Sequence, residues 1–209
     1  MQRDNSETRG TLRERHALDT RALIVAAAQA LFLQKGYVAT TMTSIASEAG
    51  VAVGTVYLAF GTKRGVLQAI RERWHQGSGI KDVLEQARSL PGARDKLALI
   101  AQGTRRQWET SAEVVGIYKE AAATDPKAAE ELSAALAGRR VALGRFVDDM
   151  APFLRPGLAV SDAAAVLRAL CRVEVYDELV RESGWSADTY ERWLSDALAL
   201  QLLPETERS

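Results

Sequence analysis

The residues that could act as nucleophiles or bind a metal are far apart in the sequence. The sequence has one cysteine, Cys171, and two histidines, His16 and His75. Their spacing matches no metal-binding pattern, and neither a glycine-rich phosphate loop nor a nucleophile elbow is present. An active site assembled from distant helical residues is the remaining enzymatic alternative, and nothing in the sequence calls for one. We therefore expect a protein that is not an enzyme and that needs no metal and no cofactor.

A second group of residues, between Ile45 and Tyr57, has the spacing of a helix-turn-helix. Ala46 is small enough for two helices to cross closely, and Gly50 accepts the positive φ that a sharp turn requires. Val56 would pack the second helix against the first. A helical hairpin in an ordinary core can show the same small–glycine–aliphatic triplet. The triplet alone therefore leaves both interpretations open.

The residues around this triplet resemble those of the tetracycline-repressor (TetR) family of bacterial regulators. The matching positions, within about residues 21–70, are Phe32, Gly36, Tyr37, Thr40, Thr41, Ile45, Ala46, Ala49, Gly50, Val51, Gly54, Thr55, Val56, Tyr57, Phe60, Lys63 and Leu67. The resemblance implies an all-α fold with an N-terminal helix-turn-helix domain of three to four helices. It also implies a larger helical domain that binds a small-molecule effector and pairs two subunits. We expect a transcription regulator, a repressor that its effector releases from the operator.

The resemblance also implies which residues contact a double-stranded DNA operator. Helix N-termini favour phosphate, and the helix after Gly50 would enter the major groove. The predicted contacts are Thr41, Thr43, Val53, Gly54, Thr55, Tyr57, Leu58 and Lys63. Lys63 would clamp a phosphate, although a solvated surface lysine is the alternative. Arg13 and Arg15 would either reach the minor groove or stay in solvent.

Two positions depart from the family pattern. Ala52 stands where the family often has serine or threonine, so the third helix lacks a side-chain cap worth about 1 kcal/mol. Ala59 stands where the family often has histidine or another aromatic residue. The recognition helix is therefore unusually apolar, and we expect more weight on thymine-methyl contacts, phosphate contacts and DNA shape than on hydrogen bonds to bases.

Helix signals divide the chain into an arm and two domains. Residues 1–18 lack an apolar stripe and are predicted to form a flexible arm, with Asp19 and Thr20 capping the first helix. Gly77-Ser78-Gly79 is predicted to separate a helix-turn-helix domain at 19–76 from a ligand-binding and dimerisation domain at 80–204. Residues 1–76 hold ten Lys/Arg and six Asp/Glu, a small basic excess that suits a polyanion.

The second domain offers candidate residues for a pocket and for a dimer interface. The predicted ligand-pocket residues are Trp108, Tyr118, Phe146, Met150, Cys171 and Glu174, although each could be ordinary core and Glu174 could simply pair with an arginine. One continuous helix is predicted over about 161–182, apolar on two faces. Two such faces favour contact with a second subunit. The predicted interface residues are Val173, Tyr176, Val180, Tyr190, Trp193, Leu194, Ala197 and Leu198.

A homodimer would place two recognition helices on a palindromic operator. The alternative function is a DNA-bound adaptor whose second domain binds a protein partner rather than a small ligand. The single cysteine favours a reducing compartment. No run of about 18 apolar residues is present, so we expect a cytoplasmic protein without a membrane span.

Overall fold

The computed structural model describes residues 4–77 and 80–207. Those residues form α-helices and contain no β-strand, which confirms the all-α class. The helices are α1 Asp4–Lys35, α2 Met42–Glu48, α3 Val53–Phe60, α4 Lys63–Gly77, α5 Ile80–Ser89, α6 Ala93–Ala122, α7 Pro126–Met150, α8 Val160–Leu170, α9 Val173–Tyr176 and α10 Ala187–Leu202. Short 3-10 helices at Ala151–Phe153 and Glu205–Glu207 and a π-helix at Asp177–Glu182 complete the order.

The chain divides into two compact units that do not follow a single cut in the sequence. The first unit contains the residues up to Trp74 together with Glu113–Glu130, and the second contains His75–Ala112 and Glu131–Ser209. The end of α6 and the start of α7 therefore belong to the same unit as α1–α4. The assignment of all of 80–204 to one ligand-binding and dimerisation domain stays a prediction.

The first unit is built around apolar side chains that α1–α4 supply at helical spacing. Ile24, Ala28 and Phe32 of α1 are at most 2% exposed, as are Ile45 of α2 and Val56 of α3. Burial of such side chains stabilises a small domain by about 1.5–3 kcal/mol each. Packing against this core stabilises α2 and α3, because helices this short are not stable on their own in water.

The arm predicted over residues 1–18 is helical from Asp4 onward, because α1 begins there and not after Asp19. Residues 12–18 consist of Leu, Arg, Glu, His and Ala, several of which are strong helix formers, so α1 can extend without a buried face. Thr20 is inside the helix, and its hydroxyl donates to the carbonyl of His16. Leu23 of α1 is 58% exposed, whereas the next residue, Ile24, is fully buried.

Three other helices begin at residues whose side chains cap them. The Thr62 hydroxyl accepts from the Gly65 amide at the start of α4. Asp125 caps α7 by accepting from the amide of Lys127, with Pro126 as the first helical residue. Ser186 caps α10 by accepting from the amide of Thr189.

The helix predicted over 161–182 is broken in the structure. It ends at Leu170, resumes at Val173 for four residues and continues as a π-helix. The break occurs where the Cys171 carbonyl accepts from the Trp108 indole and from the Arg139 guanidinium. These donors lie far away in sequence, so local periodicity could not reveal the break.

Residues 15–35 of α1 are long and apolar enough to meet a composition test for a membrane span. The sequence expectation rested on an uninterrupted apolar run, whereas this segment passes on its mean hydropathy of 1.2. Core helices of soluble proteins meet the same test. Here the apolar side chains Ile24, Ala28 and Leu31 are buried within the first unit.

Candidate nucleic-acid interface

The turn between α2 and α3 has the geometry of a helix-turn-helix. The two helices meet at 112°, within the range typical of this motif. Gly50 has φ +67, the left-handed conformation that favours glycine. Ala46 is 3% exposed, and its carbonyl accepts from the Val51 amide at 3.0 Å. Val56 is fully buried, so the triplet found in the sequence does pack as that motif requires.

The outward face of α3 exposes large apolar side chains. Leu58 is 91% exposed, Tyr57 52% and Val53 41%. Gly54 is also exposed, and Thr55 is half-buried. Thus the structure brings all five predicted recognition-helix residues onto one short helix. Ala52 is the residue before α3 and makes no side-chain cap, as its type predicts.

The start of α2 is held by a reciprocal capping arrangement. The Thr41 hydroxyl accepts from the Ser44 amide at 3.0 Å, and the Ser44 hydroxyl accepts from the Thr41 amide at 3.0 Å. This satisfies two amides that would otherwise lack partners. Thr41 and Thr43 are both exposed, so this end of α2 is open to an approaching phosphate.

Lys63 occupies a different position from the one expected of a phosphate clamp. Its ammonium donates to the carbonyls of Tyr37 at 2.6 Å, Val38 at 3.2 Å and Thr40 at 2.9 Å. It also lies 4.4 Å from the centroid of the Tyr37 ring. An ammonium has three donors, and these carbonyls take all of them. Burial lowers the pKa of Lys63, and the nearby Glu120 carboxylate partly opposes that shift.

Lys63 thus fixes the loop between α1 and α2 from the start of α4. Glu120 supports the same loop, because its carboxylate accepts from the Val38 amide at 3.4 Å. A β-carbon on Gly36, which has φ +84, would come within 2.5 Å of that carboxylate. Glu120 could not be recognised from the sequence, because it is far along the chain from this loop and belongs to no motif.

Arg21 of α1 contacts the C-terminal end of α3 and holds it in place. Its guanidinium donates to the Ala59 carbonyl and lies 4.3 Å from the centroid of the Phe60 ring. A cation at a helix C-terminus is favourable because the last carbonyls carry partial negative charge. Arg15 is exposed on α1, and the side chain of Arg13 lies outside the described residues. Minor-groove contact by either remains a prediction.

The predicted pocket residues do not form one cluster. Trp108 and Cys171 do come together, since the indole Nε1 donates to the Cys171 carbonyl at 3.2 Å. Phe146 and Met150 are buried in the same second unit. Tyr118 belongs to the first unit, where its hydroxyl donates to the Leu67 carbonyl at 3.4 Å.

Glu174 pairs with Arg172 at 2.9 Å and is 46% exposed, which favours the ion-pair interpretation over a pocket. A surface groove of about 640 Å³ contains none of the six predicted pocket residues. Its lining residues are Arg94, Trp185, Thr189, Arg192, Trp193, Asp196, Ala197, Ala199 and Leu200.

The predicted dimer residues fall into two groups. Five are at most 5% exposed within a single subunit and therefore face its own core: Val173, Tyr176, Tyr190, Leu194 and Leu198. Val180, Trp193 and Ala197 are half-buried and remain available to a partner. Trp193 and Ala197 line the groove, beside Leu200, which is 55% exposed. A two-fold contact through this side of α10 remains a prediction.

Together, the crossing angle, the glycine turn and the outward face of α3 define a helix-turn-helix domain. Residues 24–70 match the model of the family described as bacterial regulatory proteins, tetR family. The N-terminal domain is therefore similar to that of the TetR family, and the resemblance seen in the sequence is confirmed over these residues.

Relatives with known names support the same assignment. The chain is 38% identical over 60 residues to the transcriptional regulator TtgR of Pseudomonas putida, covering 29% of this chain and 29% of that protein. It is also similar to NalD, the secondary repressor of the MexAB-OprM multidrug efflux pump in Pseudomonas aeruginosa, at a TM-score of 0.69 and 22% identity, with 90% and 99% of the chains covered. SmeT in complex with triclosan gives a TM-score of 0.70 at 23% identity, with 90% and 93% covered. At 22% and 23% identity, the similarities to NalD and SmeT establish the shared fold alone.

Proposed function

We propose that this protein is a DNA-binding transcription regulator, a repressor that a small-molecule effector releases from its operator. The observation that carries the proposal is the outward face of α3. Val53, Tyr57 and Leu58 together leave a large apolar surface in water on a helix of eight residues. Large exposed apolar patches mark interaction sites. The major groove accommodates such a helix and offers thymine methyl groups to apolar side chains.

The surroundings of α3 suit this role. Thr41 and Thr43 are exposed at the N-terminus of α2, where amides and the helix dipole favour a phosphate. Arg21 and Val56 fix α3 at its C-terminus and on its inner face, so the recognition helix is preorganised. Lys63 acts in this proposal by positioning the loop before α2 and not by contacting phosphate.

The functional unit in this proposal is a cytoplasmic homodimer. The half-buried side chains Trp193 and Ala197 and the exposed Leu200 give α10 an apolar outer surface. A two-fold dimer would present two copies of α3 to the half-sites of a palindromic operator. NalD, which shares this fold, is described as a repressor, and SmeT is seen bound to triclosan. These neighbours support repression and a small-molecule effector here.

The test is binding of the purified protein to DNA from immediately upstream of its own gene, followed by fluorescence anisotropy. A scrambled fragment of equal composition is the control, and both are measured at low and high salt. We expect tight binding to the upstream DNA that weakens as salt rises, because phosphate contacts release counterions. Equal, weak binding to both fragments would count against a regulator of its own gene. Pooled genomic fragments would then show whether a selective operator exists elsewhere.

The variant Tyr57→Ala tests the site itself. Loss of one base-contacting side chain costs about 1–3 kcal/mol, so affinity should fall by a factor of about 5 to about 160. Leu136→Ala is the matched control, because Leu136 is 43% exposed on α7 in the second unit. Both variants should retain the melting temperature of the parent within a few degrees. Unchanged affinity of Tyr57→Ala would remove α3 as the DNA-reading element.

A further inference from the structure

The guanidinium of Arg139, on α7, lies among buried groups of the second unit. It donates to the side-chain oxygen of Gln107 and to the Cys171 carbonyl, the latter at 3.0 Å. It also lies 4.8 Å from the centroid of the Trp108 ring. Arg139 as a residue is half-buried, whereas these three neighbours are at most 4% exposed. Two of the five N–H donors of a guanidinium are used by these hydrogen bonds.

Within the part of the chain that the structure describes, no carboxylate contacts the Arg139 guanidinium and neutralises its charge. Its neighbours that could become negative are the Cys171 thiol and the Tyr190 phenol. Burial raises the pKa of both groups. Both are therefore neutral at neutral pH and supply no counter-charge. A buried charge without a partner is costly, and proteins normally pair it or bring it to a ligand.

A buried hydroxyl near the cation also lacks a partner. Tyr190 is fully buried, and its hydroxyl makes no hydrogen bond. The Thr104 hydroxyl is also fully buried, and its neighbour is the weakly polar Cys171 thiol. Buried hydroxyls in native proteins nearly always have a hydrogen-bond partner. A cation without a counter-charge and a buried hydroxyl without a hydrogen bond lie in one cluster, which indicates that a group with acceptor oxygens completes it.

We propose that Arg139 and Tyr190 bind the carboxylate of an effector that has an apolar body. This inference rests on the proposed function, in which the second unit senses a small molecule. A carboxylate supplies both the negative charge and the planar pair of acceptors that a guanidinium fork matches. The Tyr190 hydroxyl donates to the same carboxylate. Trp108 and Tyr176, whose ring lies 5.0 Å from that of Tyr190, supply apolar walls.

Room for the body of the acid comes from the segment that follows the break at Cys171. Here the structure has α9, which is four residues long, and then a six-residue π-helix. π-helical turns are rare in proteins and occur frequently at functional sites. The segment carries Tyr176 and begins two residues after Cys171, whose carbonyl holds Arg139. In this proposal, the irregular segment moves aside for the body of the acid.

The experiment compares three acids with their uncharged counterparts on the full-length protein. Benzoate, 4-phenylbutanoate and octanoate are each titrated beside the matching carboxamide, and binding is measured by calorimetry. We expect at least one acid to bind about tenfold or more tightly than its amide, because charge-assisted hydrogen bonds are roughly twice as strong as neutral ones. If all three acids bind no more tightly than their amides, the proposal is wrong.

Variants of Arg139 and Tyr190 test whether these two residues cause the preference for the acid over its amide. Arg139→Met should bring the acid-to-amide ratio close to one, and Tyr190→Phe should weaken the preferred acid several-fold. Arg140→Met is the matched control, because the neighbouring Arg140 is exposed, and it should keep the parent ratio. Near-ultraviolet circular dichroism checks that each variant folds. If Arg139→Met proves unfolded, the test rests on Tyr190→Phe against Arg140→Met. Equal acid affinity in those two variants would overturn the proposal.

The same acid added to the protein–DNA complex separates this inference from the proposed function. Release of the DNA by the acid, at a several-fold higher acid concentration in Tyr190→Phe than in the parent, supports both. Acid binding that depends on Arg139 without any release of DNA supports the carboxylate site and contradicts effector-controlled repression. Release of DNA by the carboxamides as readily as by the acids supports a sensor and contradicts the carboxylate site.

Discussion

Replacing Lys63 with methionine distinguishes a structural lysine from a phosphate-binding lysine. Methionine keeps the length of the stem and removes the three hydrogen bonds to the carbonyls of Tyr37, Val38 and Thr40. The structure predicts that Lys63→Met destabilises the fold. The phosphate-clamp interpretation predicts instead a weaker complex with DNA and an unchanged melting temperature.

The magnitude follows from those contacts. Hydrogen bonds to a charged group are worth about 1.5–3 kcal/mol each when buried. Lys63 is half-buried and Val38 is 57% exposed, so water can replace part of what is lost. Counting about 1 kcal/mol each for Tyr37 and Thr40, and about 0.5–1 kcal/mol for the contact with the Tyr37 ring, gives about 2–3 kcal/mol. In a chain of this size each kcal/mol lowers the melting temperature by about 2–4 °C.

The assay is thermal unfolding followed by circular dichroism, with Lys127→Met as the control. Lys127 is exposed on α7, so its replacement removes the same charge without those contacts. We expect Lys63→Met to melt about 4–12 °C below the parent and the control to melt with the parent. DNA binding is then measured well below both transitions. The structural role would be refuted if Lys63→Met had the melting temperature of the parent and its DNA affinity depended less steeply on salt. The shallower dependence would indicate that a phosphate contact had been lost.

Two further predictions concern the cap of α3 and the thiol of Cys171. Ala52→Ser should restore the missing side-chain cap and raise stability by about 1 kcal/mol, measurable as a melting temperature about 2–4 °C higher; an unchanged value would mean that α3 gains nothing from the cap. Cys171 is 1% exposed and burial raises its pKa, so iodoacetamide at pH 8 should modify the folded protein far more slowly than the denatured protein. Equal rates would show that the surroundings of Cys171 open readily.

The sequence was sufficient to predict the helix-turn-helix because its determinants are local. Ala46, Gly50 and Val56 lie within eleven positions, and each imposes its requirement on its own stretch of backbone. Capping residues such as Thr62 and Asp125, at the starts of α4 and α7, likewise act over two or three positions. These features need no knowledge of the tertiary contacts.

The side-chain contacts that sequence reasoning did not anticipate depend on distant partners. Lys63 is held by carbonyls 23 to 26 positions earlier in the chain. A lysine at the start of a helix can equally face a phosphate. The break at Cys171 depends on Trp108, 63 positions away, and on Arg139, 32 positions away. Arg139 itself stands next to Arg140 in an unremarkable basic pair, and only the packing distinguishes the two.

The outward face of α3 leads to a prediction about how this protein reads DNA. Tyr57 and the half-buried Thr55 are the polar side chains on a face otherwise formed by Val53 and Leu58. Hydrogen-bond readout is therefore limited, and the thymine methyl is the base group that apolar side chains can contact. Burying one methyl is worth about 0.8 kcal/mol, or about a fourfold change in affinity. Replacing thymine by uracil in the half-sites removes the methyl and keeps every hydrogen-bonding group.

Once an operator has been found, each uracil at a contacted position should weaken binding by about fourfold. Uracil outside the half-sites is the control and should have no effect. In Leu58→Ala, uracil should no longer weaken binding at the position that Leu58 contacts in the parent. The thymine methyl there has no apolar side chain to contact in the variant. If uracil and thymine operators bind equally, the exposed apolar face does not contact thymine methyls. Selectivity would then have to come from DNA shape, which base substitutions in positions without protein contact would reveal.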